Sequence, residues 1–575
     1  MAADLASAGG APHPVTPERV QLPVMGSSTE AVEAGSELAA ATEALRRRDY
    51  EAVAQHCLAA LGTDPANGQA WHVLAIAHEA RKDFKTATSC YEAALSLLPG
   101  NPRVILNLSR LALTMGMNAV AEQLIRTLLK SDPDNAEGVN NLALALRAQG
   151  RNEEAIELLK QLLSRQPGHP NLLNTLGSLA ADSGDLETAN LLFTEAIRLA
   201  PEMTAPAYNL GDNLLVMGRS AEALEQIQAA LDAGPPPEDR PTMVFSRALA
   251  RLSTGDLTAG WEDYESRNDP LWPGFVLNLR DEPRWMPGEP LSGRRLLVIG
   301  EQGLGDEVLF AGIIPDLLQA LGPGGGLTLA VEPRLVSLMA RSFPEVRVEP
   351  HNAGEIGGHR VRSVPGLRQG DCDLWTPIAS LLQVFRPGID AFKGRGAYLR
   401  ADAARTGHWR DVLAKGPPGP KVGLLWKSAV RSAGRHRVFA DFAAWAPVLR
   451  TPGVVFVNLQ YGDCEAELEL ARSQLGVEIL RPPGIDLMHD LDDVTALACA
   501  LDLTVGFSNA TFNLAAAAGA PAWLIAARGA WTTLGSGAYP WYPQVRLHQT
   551  EAYGEWAPTL GQVAADLSVA FGGQR

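Results

Sequence analysis

Residues 69–99 read QAWHVLAIAHEARKDFKTATSCYEAALSLLP. Apolar and small residues recur at helical spacing on both sides of the polar RKD break (81–83), so the stretch predicts two antiparallel amphipathic helices closed by Pro99. The pattern repeats along the chain. Pro65, Pro99, Pro133, Pro167, Pro201 and Pro235 follow one another at intervals of 34 residues. Ala87, Ala121, Ala155, Ala189 and Ala223 each stand twelve residues before their proline, with Val53 in the first unit. Leu74, Leu108, Leu142, Leu176 and Leu210 stand twenty-five before theirs. One such helix pair cannot bury its apolar faces alone, so successive pairs must stack.

A 34-residue helix-pair period with small contact residues and a closing proline is that of tetratricopeptide (TPR) repeats. Six units run from about residue 34 to 237, and a degenerate capping stretch follows at 241–267. The expected array, residues 34–270, is an all-α superhelix with a concave groove. Asn107, Asn141 and Asn209 occupy one position of units three, four and six, with Thr175 in unit five. Each immediately precedes the repeat's leucine on the groove-lining helix. Such amides either solvate the groove or pair with the backbone of an extended peptide, because an amide both donates and accepts. The array resembles that of O-GlcNAc transferase, whose asparagine ladder holds acceptor polypeptide, and that resemblance implies a polypeptide partner.

The chain has 575 residues, 46% hydrophobic, and a formal net charge of −16. That balance argues against generic attraction to nucleic acid or to an anionic membrane surface. The five cysteines are scattered, with no CxxC or Cys/His zinc spacing, as expected of reduced thiols in a cytoplasmic protein. Residues 1–33 carry neither a basic n-region nor an apolar core and read as a disordered tail. No uncharged apolar run is long enough to span a membrane.

Beyond a linker at 271–292, short apolar runs alternate with helical ones. Strands are expected at 296–300, 327–331, 346–350, 421–428, 454–460, 477–480, 501–507 and 522–527, with helices such as 307–321, 492–501 and 509–519 between them. This alternation predicts parallel sheets with crossover helices. The break KGPPGPK (415–421) divides the region into halves 293–415 and 416–575. The expected fold class is therefore an all-α TPR superhelix followed by an α/β GT-B domain of two Rossmann-like halves.

Residues 300–312, GEQGLGDEVLFAG, form a glycine turn between strand and helix. Gly303 and Gly305 permit positive φ and close approach of a ligand. The order is neither GxGxxG nor a P-loop. Asp306 stands where a phosphate would otherwise sit. It is either an acid of the first helical turn or, beside a reactive sugar carbon, a base for an acceptor hydroxyl; spacing alone favours the former. At the end of the 501–507 strand, Ser508, Asn509, Thr511 and Asn513 open a helix whose amides can seat a phosphate, while Ser508 can equally be a simple cap. Lys427, Arg431 and Arg435, with Arg437, are the cations available for that phosphate, or else a solvated basic loop. Gln460, ending the 454–460 strand, is a weaker candidate to read a base or sugar. The DxD at 371–373 lies in the wrong fold context for metal binding, Asp490, Asp492 and Asp493 read as a helix start, and Trp531 with PWYP (540–543) as core or cleft wall.

The run PLSGRRLLVIGEQGLGDEVLFAG (290–312) resembles the start of bacterial TPR-linked glycosyltransferase domains, which are related to heptosyltransferases. The likeness continues through 423–437, 456–468, 490–523 and 534–547. The whole architecture resembles the flagellin glycosyltransferases of stalked alphaproteobacteria. The resemblance implies Asp306 as catalytic base, a metal-independent inverting transfer and a nucleotide-sugar donor without any further cofactor. It also implies a nonulosonic sugar, a CMP-linked donor and Ser or Thr of flagellin as acceptor. Where heptosyltransferases carry Asp-x-x-x-x-His-Leu, this chain has SNATFNLA (508–515), with Asn509 and Asn513 in place of ionisable groups. That departure leaves two alternatives open: a catalytically inactive scaffold or chaperone for an export substrate, and a heptosyltransferase acting on lipid or polysaccharide.

Overall fold

The computed structural model describes residues 28–301, 303–393, 396–428 and 439–572. Of the tail expected over 1–33, residues 1–27 lie outside the described ones, and the first helix begins at Ser28. The chain divides into two compact units, with the boundary between Glu202 and Met203.

The unit ending at Glu202 consists of helix pairs: Ser28–Arg46 with Tyr50–Thr63, Gly68–Ala80 with Phe84–Leu97, Pro102–Thr114 with Asn118–Ser131, Ala136–Ala148 with Asn152–Arg165, and Pro170–Ser183 with Leu186–Leu199. Their starts are written in the sequence. Asp49, Asn67, Asp83, Asn101, Asn135 and Asp185 each accept a backbone N–H of the first turn, filling a donor that the helix leaves unpaired. The recurring alanines 87, 121, 155 and 189 are fully buried. They are the points where helices cross too closely for a larger side chain. Gly177 is the extreme case, since a Cβ there would lie 2.6 Å from the Phe193 ring.

The unit from Met203 holds the last repeat, Thr204–Val216 and Ser220–Asp232, and the capping helices Arg240–Thr254 and Leu257–Tyr264, which end in a 3₁₀ turn at Glu265–Asn268. These pack on the α/β region. Gly218, at φ +73°, lies so near the Arg528 carbonyl that a Cβ would sit 2.5 Å from it.

The described residues of the α/β region form two parallel sheets. In the first, β1 (Arg295–Ile299), β2 (Gly326–Val331), β3 (Arg347–Pro350) and β4 (Leu374–Pro377) take the order β3-β2-β1-β4. In the second, β5 (Lys421–Leu425), β6 (Val455–Asn458), β7 (Leu503–Phe507), β8 (Ala522–Ala526) and β9 (Arg546–Gln549) take the order β9-β8-β7-β5-β6. The winding reverses between β1 and β4 and between β5 and β7, so a crevice opens at the carboxyl ends of those strands. A small third sheet joins 277–278, 352–356 and 359–363.

Sequence alternation locates the central strands and misses β4 and β9. LWTP stops at a proline after four residues, and RLHQ at the sheet edge has no apolar run to mark it. The strand expected at 477–480 reduces to a bridge between Leu480 and Val457. One buried cluster runs from Trp261 and Tyr264 through Phe310 to Trp541 and Tyr542. A second, with Trp426, Trp445, Phe456, Phe507 and Trp556, covers the other face of the second sheet.

The packing at Gly177 makes a direct prediction. Gly177→Ala should cost about 1–3 kcal/mol by forcing the Phe193 ring aside. Gly168→Ala, at a turn where no described atom comes within 4 Å of the new methyl, should leave stability unchanged. Thermal melting followed by helical circular dichroism separates the two; equal midpoints would contradict the packing account.

Candidate functional site

Strand β1 delivers the chain to Gly300 and to three acids in succession, and the fold disposes of them differently. Glu301 is buried and receives the Arg267 guanidinium on both oxygens, at 3.1 and 3.3 Å, together with the Ala379 amide at 2.9 Å. Glu307 is buried too, accepting from the Glu332 amide at 2.9 Å and pairing with His351 Nε2 at 2.9 Å. A buried carboxylate needs such partners, because desolvation alone costs it several kcal/mol. Asp306 remains half-buried in the first turn of the helix Leu304–Phe310.

Two phenols share the surroundings of Asp306. Tyr264 and Tyr539 are both buried. Burial, and after it the charge of Asp306, drives the Tyr264 hydroxyl well above its ordinary range. Burial pushes the Tyr539 hydroxyl up to about 12, against the lowering effect of its bonds to Ser508 and Thr532, with Asp306 adding to the rise. Both phenols therefore stay protonated at neutral pH and keep a hydrogen to donate.

Opposite this turn, β7 ends at Phe507 and the helix Ala510–Ala517 begins. The cap is Asn509 rather than Ser508: Asn509 Oδ1 accepts from the Phe512 amide at 2.9 Å. Ser508 is exposed, and its hydroxyl lies 3.3 Å from the Tyr539 hydroxyl. Asn513 reaches across to the first turn, its Nδ2 donating to the Gly305 carbonyl at 3.3 Å. Asn509 Nδ2 and Asn513 Oδ1 are buried atoms without a hydrogen-bond partner among the described residues.

Sequence expectations for three residues are corrected here. Gly303 has φ −117° and Gly305 is likewise absent from the left-handed residues, so neither supplies a positive φ. Gly305 instead lies where two helices meet: a Cβ on it would be in van der Waals contact, 3.5 Å from the Ala510 amide nitrogen and from Asn513 Nδ2. Thr511 is 1% exposed, so its side chain belongs to the core and not to an open phosphate seat.

Just past the end of β6, Gln460 is buried and accepts from the Trp426 and Lys427 amides beyond β5 at 3.0 and 2.9 Å, while its own amide donates to the Tyr461 carbonyl at 2.9 Å. Both ends of its side chain are engaged in tying two strand ends together, not in facing a ligand. Lys427 forms an ion pair with Glu467. Arg431, Arg435 and Arg437 lie outside the described residues. In the DxD, Asp373 pairs with Arg295 and Asp371 with Arg347, which agrees with a structural role. Asp490 caps the helix Leu491–Ala498 as its spacing suggests.

In the helix pairs before Met203, the asparagine positions are partly engaged with their neighbours. Asn107 Nδ2 lies 2.9 Å from His72 Nε2, and Thr175 donates to Asn140 Oδ1 at 2.6 Å. Asn141 is buried, and its Nδ2 has no partner among the described residues. Asn209, on the helix Thr204–Val216, is half-buried.

The structure thus gathers Gly303, Gly305, Asp306, Ser508, Asn509 and Asn513 at one place. It adds Tyr264, Tyr539 and Arg267, which carry no sequence motif: an aromatic in a capping helix looks like any core residue.

Tetratricopeptide-repeat family profiles match residues 68–111, 106–170, 142–204, 174–236 and 208–271. Among solved structures, a tetratricopeptide repeat protein from Parabacteroides merdae is 16% identical, with 42% of this chain and 94% of that chain covered at a TM-score of 0.36. A thermophilic TPR protein of Thermus thermophilus is 25% identical, with 31% and 98% covered and a TM-score of 0.29. The likeness to Protein FlbA of Caulobacter vibrioides is far more extensive: 45% identity over 546 residues, covering 94% of this chain and 90% of that protein. This chain belongs to the family of Protein FlbA.

Proposed function

We propose that this chain is a protein O-glycosyltransferase in which the repeat helices hold a polypeptide and the α/β region, a GT-B domain, modifies it. The observation that carries the reading is the meeting of the Asp306 turn with the 508–513 helix start, at the carboxyl ends of β1 and β7. In this mechanism Asp306 takes the proton of a Ser or Thr hydroxyl as its oxygen attacks the anomeric carbon of a nucleotide sugar. The bond from that carbon to the nucleotide phosphate breaks, and the phosphate departs toward the amides that open the helix Ala510–Ala517. Ser508 and the Tyr539 hydroxyl donate to it. Attack opposite the leaving phosphate inverts the anomeric centre, and no metal is required.

The resemblance to flagellin glycosyltransferases supports flagellin as acceptor and a nonulosonic acid, carried on CMP, as donor. The five free cysteines suit a reducing cytoplasm. A second reading, a scaffold or chaperone without turnover, draws on Gln460 and Lys427, whose polar groups are held internally.

Two outcomes test the proposal. Intact-mass analysis of co-expressed flagellin should show a ladder of sugar-sized increments with the wild-type chain. Asp306→Asn should remove it, cutting transfer by about 10²–10⁴-fold with flagellin binding retained. An unmodified flagellin that still binds would favour the scaffold. The double variant Asn107→Ala/Asn141→Ala should weaken flagellin binding, measured by calorimetry, roughly five- to a hundredfold, as expected for two lost hydrogen bonds of about 0.5–1.5 kcal/mol each. Unchanged affinity would remove these residues from the acceptor site.

A further inference from the structure

Arg267 belongs by sequence to the cap of the helical array, yet the residue is only 2% exposed and its bidentate contact is with the α/β region. The guanidinium donates from Nε and Nη2 to the two oxygens of Glu301, at 3.3 and 3.1 Å. Nη2 also reaches Ser380 Oγ at 3.3 Å, and Nη1 binds Glu265 Oε1 at 2.8 Å. The ring of Tyr264 covers the same guanidinium at 4.7 Å. Glu301 is thereby fixed from its side chain. Its main chain is fixed from the other side by Arg362, which donates to the carbonyls of Gly300 and Glu301. Five residues further on stands Asp306, and the turn leading to it starts from a residue held by these two arginines.

A bidentate guanidinium–carboxylate contact fixes direction as well as distance. A buried pair contributes little net stability over an apolar pair of similar volume, because both charges lose their water. Its presence is better accounted for by orientation. We propose that Arg267 is a positioning residue for the Asp306 turn: the cap of the helical array supplies the clamp that sets the base, through Glu301, and Tyr264 on the same cap forms part of the base's surroundings. This rests on the reading of Asp306 as the base. It implies that the α/β region is not functionally complete when cut at its sequence boundary near residue 271.

The test compares full-length Arg267→Met, Arg267→Lys and the double variant Arg267→Met/Glu301→Met with the wild type. Melting midpoint, kcat and KM for flagellin modification, and hydrogen exchange of the 300–310 segment are measured on each. Arg267→Met leaves Glu301 buried without its partner and should lower both midpoint and kcat. The double variant should recover part of the midpoint, since the Ala379 amide and Glu265 each still lose a partner, but keep kcat at least about tenfold down, with KM for flagellin within about twofold of wild type, and should exchange faster at 300–310. Arg267→Lys, with one contact instead of two, should fall between. Recovery of kcat together with the midpoint in the double variant, or unaltered exchange at 300–310, would overturn the proposal. The exchange measurement needs no turnover: if the wild type transfers no sugar, the glycosyltransferase reading fails by itself, and exchange still decides whether Arg267 sets the turn.

Discussion

The first turns of the helices Leu304–Phe310 and Ala510–Ala517 meet at Gly305, and the site proposed for the unit from Met203 is built on that contact. A Cβ on Gly305 would lie in ordinary van der Waals contact with Ala510 and Asn513, 3.5 Å from each. Because the contact is this close, the ends of β1 and β7 face each other across a gap narrow enough for Asn513 to bridge with one hydrogen bond. Asp306 stands in the first turn of one of these helices, and the phenols of Tyr264 and Tyr539 are buried in its surroundings. Both stay neutral and can donate. The chemistry proposed for the chain depends on this convergence more than on any single side chain.

The acids around β1 show how such a site is assembled. Glu301 and Glu307 are consumed as structure, one by Arg267 and the other by His351 and a backbone amide. Leaving either unpaired in the interior would cost several kcal/mol. Asp306, in the first turn of the helix Leu304–Phe310, is instead half-buried. Spacing does not make that distinction, since all three acids lie within seven residues.

How much can be read in advance follows from the range of each interaction. The repeat array is legible because its signal is local and periodic: the 34-residue interval fixes which alanine meets which helix, and Asp or Asn caps stand just ahead of the helices they start. The central parallel strands are legible for the same reason, each being a short apolar run. The Asp306 turn and the 508–513 helix start can be marked as candidates, and the fold brings them together. What stays hidden is long-range. Nothing near Arg267 announces Glu301, 34 residues away, and Tyr539 reads as core until Ser508 is placed beside it. Gln460 and Thr511 mislead because a polar residue at a strand end or helix start looks the same whether it faces a ligand or ties down the backbone.

The central claim is that the Asp306 turn and the 508–513 helix start form one nucleotide-sugar site. The most direct test is hydrogen exchange of the full-length chain with and without CMP, with UDP and GDP run in parallel. The account predicts that one nucleotide, CMP by resemblance, protects the 508–513 segment and the 300–307 turn together, with a single apparent affinity. Protection by a nucleotide at some other part of the chain, or of neither segment by any of them, would contradict it.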